Sequence, residues 1–198
     1  MNNHNATGQN IPERLRRYLQ APTEGKAVRL LEELYCEALE LTQALTWSCS
    51  VTRPEFFESF APYAEQSSAL TKLLSDAHQV WLLAATIGPD LENKSQEYFE
   101  RRETFRSYML DRMGSYLVEQ QIQALDHEVN QKCLEAGCQC THRFSPGYGD
   151  FSIQAQSVFA RLLKEAMPAL SLSSGCIFFP QKTVTAVKGA SSLRAAAC

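Results

Sequence analysis

HQVWLLAATIG, residues 78–88, is the stretch on which the fold turns. It is a continuous apolar run closed by Gly88 and Pro89. Such a run predicts a central strand buried on both faces. Toward the N-terminus, SALTKLLSDA at 68–77 has a helical period, and Pro54 opens a loop or short helix. WSCSVT at 47–52 reads as a strand. A long helix is predicted over about 25–46, where Val28, Leu31, Leu34, Tyr35, Ala38, Leu41 and Leu45 recur at helical spacing. Glu32, Glu33, Glu37 and Glu40 form its solvated face. IPERLRRYLQ at 11–20 is a short helix with Pro12 tolerated in its first turn. Residues 1–10 are polar and without periodicity, which predicts a disordered start.

Toward the C-terminus, one long helix is expected over about 91–130, with Tyr98, Phe105, Met109, Met113, Tyr116 and Leu117 along one side. Asp90 and Glu92 favour its N-terminus. Glu135-Ala136-Gly137 reads as a helix end with Gly in the left-handed position. CQCTHRF at 138–144 is a strand that runs into the loop SPGYGD. Residues 152–167 form a helix with Ser152 as N-cap and Ile153, Phe159, Leu163 and Met167 inward. CIFFP at 176–180 and TVTAVKG at 183–189 read as a strand pair, and Lys182 and Lys188 beside the latter as solvated lysines. These elements make one α/β (α+β) domain over 11–189, with about four or five strands, followed by a tail at 190–198.

A chain of 198 residues with 44% hydrophobic content is long enough to bury a real core. Its net charge of -3 supplies no basic field for nucleic acid. The longest apolar stretch, VWLLAA at 80–85, is far below the roughly 18 residues of a membrane span. The polar N-terminus does not read as a secretory signal, so a cytoplasmic location is expected, with no nucleic-acid or membrane partner. The seven cysteines should then be mostly reduced thiols. Only Cys133, Cys138 and Cys140 cluster, with His142 two residues on. That group suits either a soft metal or free thiols on a helix end and the strand after it. His4, His78, His127 and His142 share no metal-site spacing, and no serine forms a nucleophile elbow.

RFSPGYGD at 143–150 holds the residues best suited to a ligand. Pro146 fixes its own φ, while Gly147 and Gly149 tolerate positive φ and let a ligand approach the backbone. Arg143 can grip a carboxylate or phosphate in bidentate fashion. Tyr148 offers an aromatic face to a cation or ring. Asp150 is placed to cap the following helix. The same residue types also suit a plain strand–turn–helix connection, and residue type alone leaves both readings open. The segment is neither a P-loop nor a GxGxxG turn.

These segments resemble the activation domain of cobalamin-dependent methionine synthase, in its shorter, stand-alone form. RFSPGYGD is similar to that family's Arg-x-x-Pro-Gly-Tyr loop. FFPQKTVTAVKG at 178–189 resembles its Pro-x-x-Ser/Thr-Val strand. VWLLAATIGPDLE at 80–92, LVEQQ at 117–121 and IPERLRRYLQ resemble parts of the stand-alone form. The resemblance implies a twisted, mainly antiparallel sheet flanked by long helices. It implies S-adenosylmethionine as ligand, bound by Arg143, Ser145, Pro146, Gly147 and Tyr148, with no catalytic residue and no metal of the chain's own.

The acidic residue that the large enzyme adds from its long helix falls at Ser115 in this chain, and Glu119, the nearest carboxylate one turn on, either takes its place at the ligand site or serves structure. The resemblance further implies reductive methylation of cobalamin carried in trans by a methionine synthase module, in methionine biosynthesis. A low-potential donor such as flavodoxin would give the electron. A non-catalytic activator or chaperone of another corrinoid protein is the alternative.

Overall fold

The apolar run at 78–88 forms β2 (Gln79–Thr86), an inner strand of a four-stranded sheet ordered β1-β2-β6-β3. The structure is a computed structural model that describes residues 11–22 and 24–193. β1 (Leu45–Thr52), β3 (Cys138–Cys140) and β6 (Thr183–Ser192) complete the sheet, and every pairing in it is antiparallel. Register is fixed on one side of β2 by Leu83 opposite Ala186, and on the other by Leu83 opposite Ser48.

Side chains alternate across the pleat, so each face of β2 meets a different layer. Val80, Leu82 and Ala84 pack on Phe56 and Phe60 of α3 (Arg53–Phe60), Leu70 of α4 (Ser68–Leu73) and Phe159 of α7 (Gln156–Leu163). Leu83 and Ala85 pack on Ile122, Leu125 and Val129 of α6 (Thr104–Glu135). This two-sided burial is why the strand shows no polar alternation. The first half of α6 carries a third cluster with α1 (Glu13–Leu19), α2 (Lys26–Leu41) and α5 (Asp90–Glu100). Each fully buried Phe or Leu in these layers contributes about 1.5–3 kcal/mol of transfer free energy.

The architecture is the mixed α/β domain expected, with a mainly antiparallel sheet flanked by helices. Several elements differ from the sequence reading. The helix predicted to 46 stops at Leu41. Thr42 turns extended there, its hydroxyl donates to the Ala38 carbonyl (2.7 Å), and the Gln43 amide bonds the Ile87 carbonyl beyond β2 (2.8 Å). Leu45 therefore begins a strand instead of ending a helix.

The helix predicted over 91–130 is two. The chain reverses at Arg101–Glu103, with Arg102 left-handed at φ 63, and α5 folds back on α6. The close fit is visible at Gly114, where a Cβ would meet Leu91 Cδ2 at 2.6 Å. Phe105, expected inward, is 44% exposed because it lies just past the reversal.

The strand expected over 138–144 is regular only at Cys138–Cys140, with Phe144 rejoining β6 through an isolated bridge to Val187. The expected pairing of 176–180 with 183–189 is absent: β5 (Phe178–Phe179) pairs with β4 (Ser171–Leu172), and β6 pairs with β2 and β3. β6 runs through Ser192, so residues 190–192 belong to the sheet and not to a tail. The helix expected over 152–167 is a 3-10 turn followed by α7, and Ile153 is exposed while Phe159, Leu163 and Met167 are buried. Residues 1–10, expected to be disordered, lie outside the described residues.

Lys188 corrects the reading of solvated lysines. It is 1% exposed, and its Nζ donates to Asp126 Oδ1 (2.6 Å) and Asn130 Oδ1 (2.7 Å), one turn apart on α6. Its place on β6 is the α6-facing side shared with Ala186 and Ala190, so the pleat carries the lysine inward. A buried ammonium persists only with such partners.

Candidate functional site

The loop 143–150 is fastened at both ends. At its start, Phe144 and Val187 exchange backbone hydrogen bonds of 2.8 and 2.9 Å, which joins the loop to β6. At its end, Asp150 does not cap the helix that follows it. Instead its carboxylate accepts from Ser67 Oγ (2.5 Å), Ser68 N (2.8 Å), Ser68 Oγ (2.8 Å) and Ala69 N (3.2 Å) at the start of α4. Ser67 and Ser68 are the main cause of a carboxyl group held down at about 2, because they bond its charged form. The cap of the following turn is Ser152, whose Oγ accepts from Gln154 N.

Inside the loop, the Gly147 amide bonds the Phe151 carbonyl (2.7 Å) and the Tyr148 amide bonds the Ser145 carbonyl (3.2 Å). Gly147 adopts φ 92, a conformation that a residue with a Cβ rarely takes. Pro146 is buried, while Tyr148 is 70% exposed. Phe144 stacks on Phe151 under the loop at 6.1 Å between ring centroids.

The loop forms one wall of a cleft of about 490 Å³. Arg143, Ser145, Pro146 and Tyr148 line it from the loop, Glu119 from α6, and Thr183–Thr185 from β6. Gly147 shapes the loop but is not part of the lining. Arg143 Nη2 donates to Glu119 Oε1 in an ion pair with both side chains partly buried. Thus the structure brings five of the six residues expected at the ligand site to one cleft. A guanidinium beside a carboxylate is complementary to a zwitterion: one end takes a carboxylate, the other an ammonium.

Some residues in the cleft or next to its lining carry no distinguishing signal in the sequence. Gln156 lines it, and its Oε1 accepts from Thr185 Oγ1 (2.7 Å). Lys182, expected to be solvated, has a side chain only 12% exposed and donates to Asp111 Oδ1 (2.7 Å) and Ser115 Oγ (2.9 Å). Ser115, where the resemblance places an acidic residue, is therefore held by a lysine. Asp111, Ser115 and Glu119 stand at successive four-residue steps on α6, and that spacing was available to find them.

The three clustered thiols do not meet at one point. Cys140 Sγ donates to Cys133 Sγ (2.7 Å), whereas Cys138 Sγ lies 3.8 Å from His78 Nε2. Among the described residues no group of three or more His, Cys, Asp or Glu side chains is arranged to hold a metal ion. His142 is exposed and lines a second cleft of about 580 Å³ with Cys140, Lys72 and Asp76. No helix among the described residues is long and apolar enough to cross a membrane.

No family model and no curated protein sequence matches this chain. Its fold is similar to a solved structure described as the MetH reactivation domain bound to AdoHcy. The superposition has a TM-score of 0.51 and 14% sequence identity, and covers 87% of this chain and 68% of that one. At that identity the likeness is one of fold.

Proposed function

We propose that this chain binds S-adenosylmethionine in the loop cleft and supports reductive methylation of cobalamin carried by a separate methionine synthase module. One observation carries the reading: Arg143, Ser145, Pro146, Tyr148 and Glu119, singled out from the sequence, line a common cleft. The similar fold of a domain crystallised with AdoHcy supports it.

The residues fit the ligand. A cleft of about 490 Å³ lies within the usual range for small-molecule sites. Arg143 would exchange its bond to Glu119 for the ligand carboxylate, which leaves Glu119 for the ammonium. Exposed Tyr148 would stand beside the sulfonium, where an aromatic face attracts a cation. When bound, S-adenosylmethionine supplies an activated methyl group and the partner's cobalamin supplies the acceptor. The chain's own share is to orient the one toward the other. A low-potential donor such as flavodoxin would supply the electron.

The test combines the protein with a cobalamin-binding methionine synthase module, a reductant and methyl-labelled S-adenosylmethionine. Labelled methylcobalamin is the expected product. Tight binding of the module without label would replace this reading with a non-catalytic activator or chaperone of a corrinoid protein. Absence of S-adenosylmethionine binding by calorimetry, with and without the module, would remove the ligand assignment itself.

A further inference from the structure

We infer that Cys133 and Cys140 are a redox-modification site, a dithiol that closes reversibly into a disulfide without rearrangement of the backbone. Their sulfurs lie 2.7 Å apart, inside ordinary sulfur contact and close to the roughly 2.05 Å of a disulfide bond. The fold imposes this approach. Cys133 is in the last turn of α6 and 4% exposed among Ile122, Leu125 and Val129. The chain reverses at Gly137, with φ 70, and β3 returns Cys140 to the same place by pairing with Ala190 of β6. Cys138, between them, is left to His78. A pair already in contact favours a disulfide over a bridging metal ion, which would hold two thiolates farther apart.

Access is one-sided. Cys140 is partly exposed on the edge strand β3, while Cys133, 4% exposed, lies in the core. A small disulfide such as oxidised glutathione is the oxidant class that this geometry admits. The Cys140 thiol gives its proton to solvent, and its sulfur attacks one oxidant sulfur, forming a mixed disulfide and releasing one thiolate. Cys133, deprotonated in turn, attacks Cys140 Sγ and releases the second thiolate. Two protein thiols are oxidised, and the oxidant is reduced by two electrons to two thiols. The second step is intramolecular, so the mixed disulfide does not accumulate.

The rate is set by the first step. Burial first, then the bond to Cys133, pushes the Cys140 thiol up to about 12; Lys188 on β6 opposes this and Asp126 on α6 adds to it. Closure is therefore slow at neutral pH and accelerates as pH rises. The inference does not rest on the ligand reading. Its test is exposure of the reduced, folded protein to oxidised glutathione at pH 7 and pH 9, followed by intact mass and peptide mapping. A loss of two hydrogens and a Cys133–Cys140 cross-linked peptide, formed faster at pH 9, are expected. Cys140→Ser and Cys133→Ser should each abolish that peptide, and denaturant should scatter the pairing among other cysteines. Persistent glutathione adducts at Cys140, both thiols left free at pH 9, or pairing of either with another cysteine in the folded protein would overturn the inference.

Discussion

Arg143 and Glu119, 24 positions apart in the sequence, form an ion pair that ties the loop 143–150 to α6. Their side chains are 24% and 42% exposed, so water screens the pair and its share of folding stability is at most about 1 kcal/mol. Its main consequence is to hold a guanidinium in the cleft.

Arg143→Ala should therefore separate binding from folding. S-adenosylmethionine affinity is expected to fall by about 1.5–3 kcal/mol, the range for a hydrogen bond to a charged group. That is roughly a ten- to hundredfold rise in Kd, read by calorimetry. Unchanged affinity in a folded variant would move the ligand carboxylate elsewhere.

Gly147→Ala tests the loop geometry. At φ 92 the new Cβ would meet Ile153 Cδ1 at 3.1 Å, and the backbone itself would be strained. A destabilisation of about 1–2 kcal/mol is expected in denaturant titration. Because Gly147 shapes the wall on which Ser145 and Tyr148 stand, ligand affinity should fall too.

Asp150→Asn tests the other end of the loop. The folded carboxyl group, held at about 2 by Ser67 and Ser68, has a lower pKa than the 3.8 of an unperturbed aspartate. A depressed folded value stabilises the protein above the unfolded pKa and loses that contribution as pH falls through the folded one. The wild type should thus have the higher Tm at pH 7. The gap between wild type and variant should shrink as pH drops from about 4 toward 2. A gap independent of pH would assign the effect to lost packing.

Asp126→Ala leaves the buried Lys188 ammonium with Asn130 as its remaining partner. Removing one member of a buried ion pair costs about 3–5 kcal/mol, and the outer position of Asp126, 24% exposed, places this case toward the lower end. The denaturation midpoint measures it. A change below about 1 kcal/mol would mean that water enters to replace the carboxylate.

The elements legible in the sequence are those whose burial is written in one local pattern. The run 78–88 had no polar alternation, and β2 is covered on both faces. Leu31, Leu34 and Ala38 kept a helical period, and all three are buried. The reversal at Arg101–Glu103 was not legible. Its residues suit a helix, and its left-handed position, Arg102, lacks the glycine that usually marks one. Pairing partners are equally hidden, since adjacency in sequence suggests 176–180 beside 183–189, whereas β6 pairs with β2 and β3.

A mixed α/β domain, its central strand, and a loop at 143–150 whose residue types suit a ligand all follow from local sequence pattern. Tertiary structure alone decided what each charged side chain meets. It gave Arg143 to Glu119, Asp150 to the start of α4, Lys188 to Asp126, and Cys133 to Cys140. The physical reason is range. Apolar periodicity is set by the geometry of one element, so a short window of residues reports it. An ion pair or thiol contact depends on two elements far apart in the chain, and only the packing of sheet and helices brings their side chains within a few ångströms.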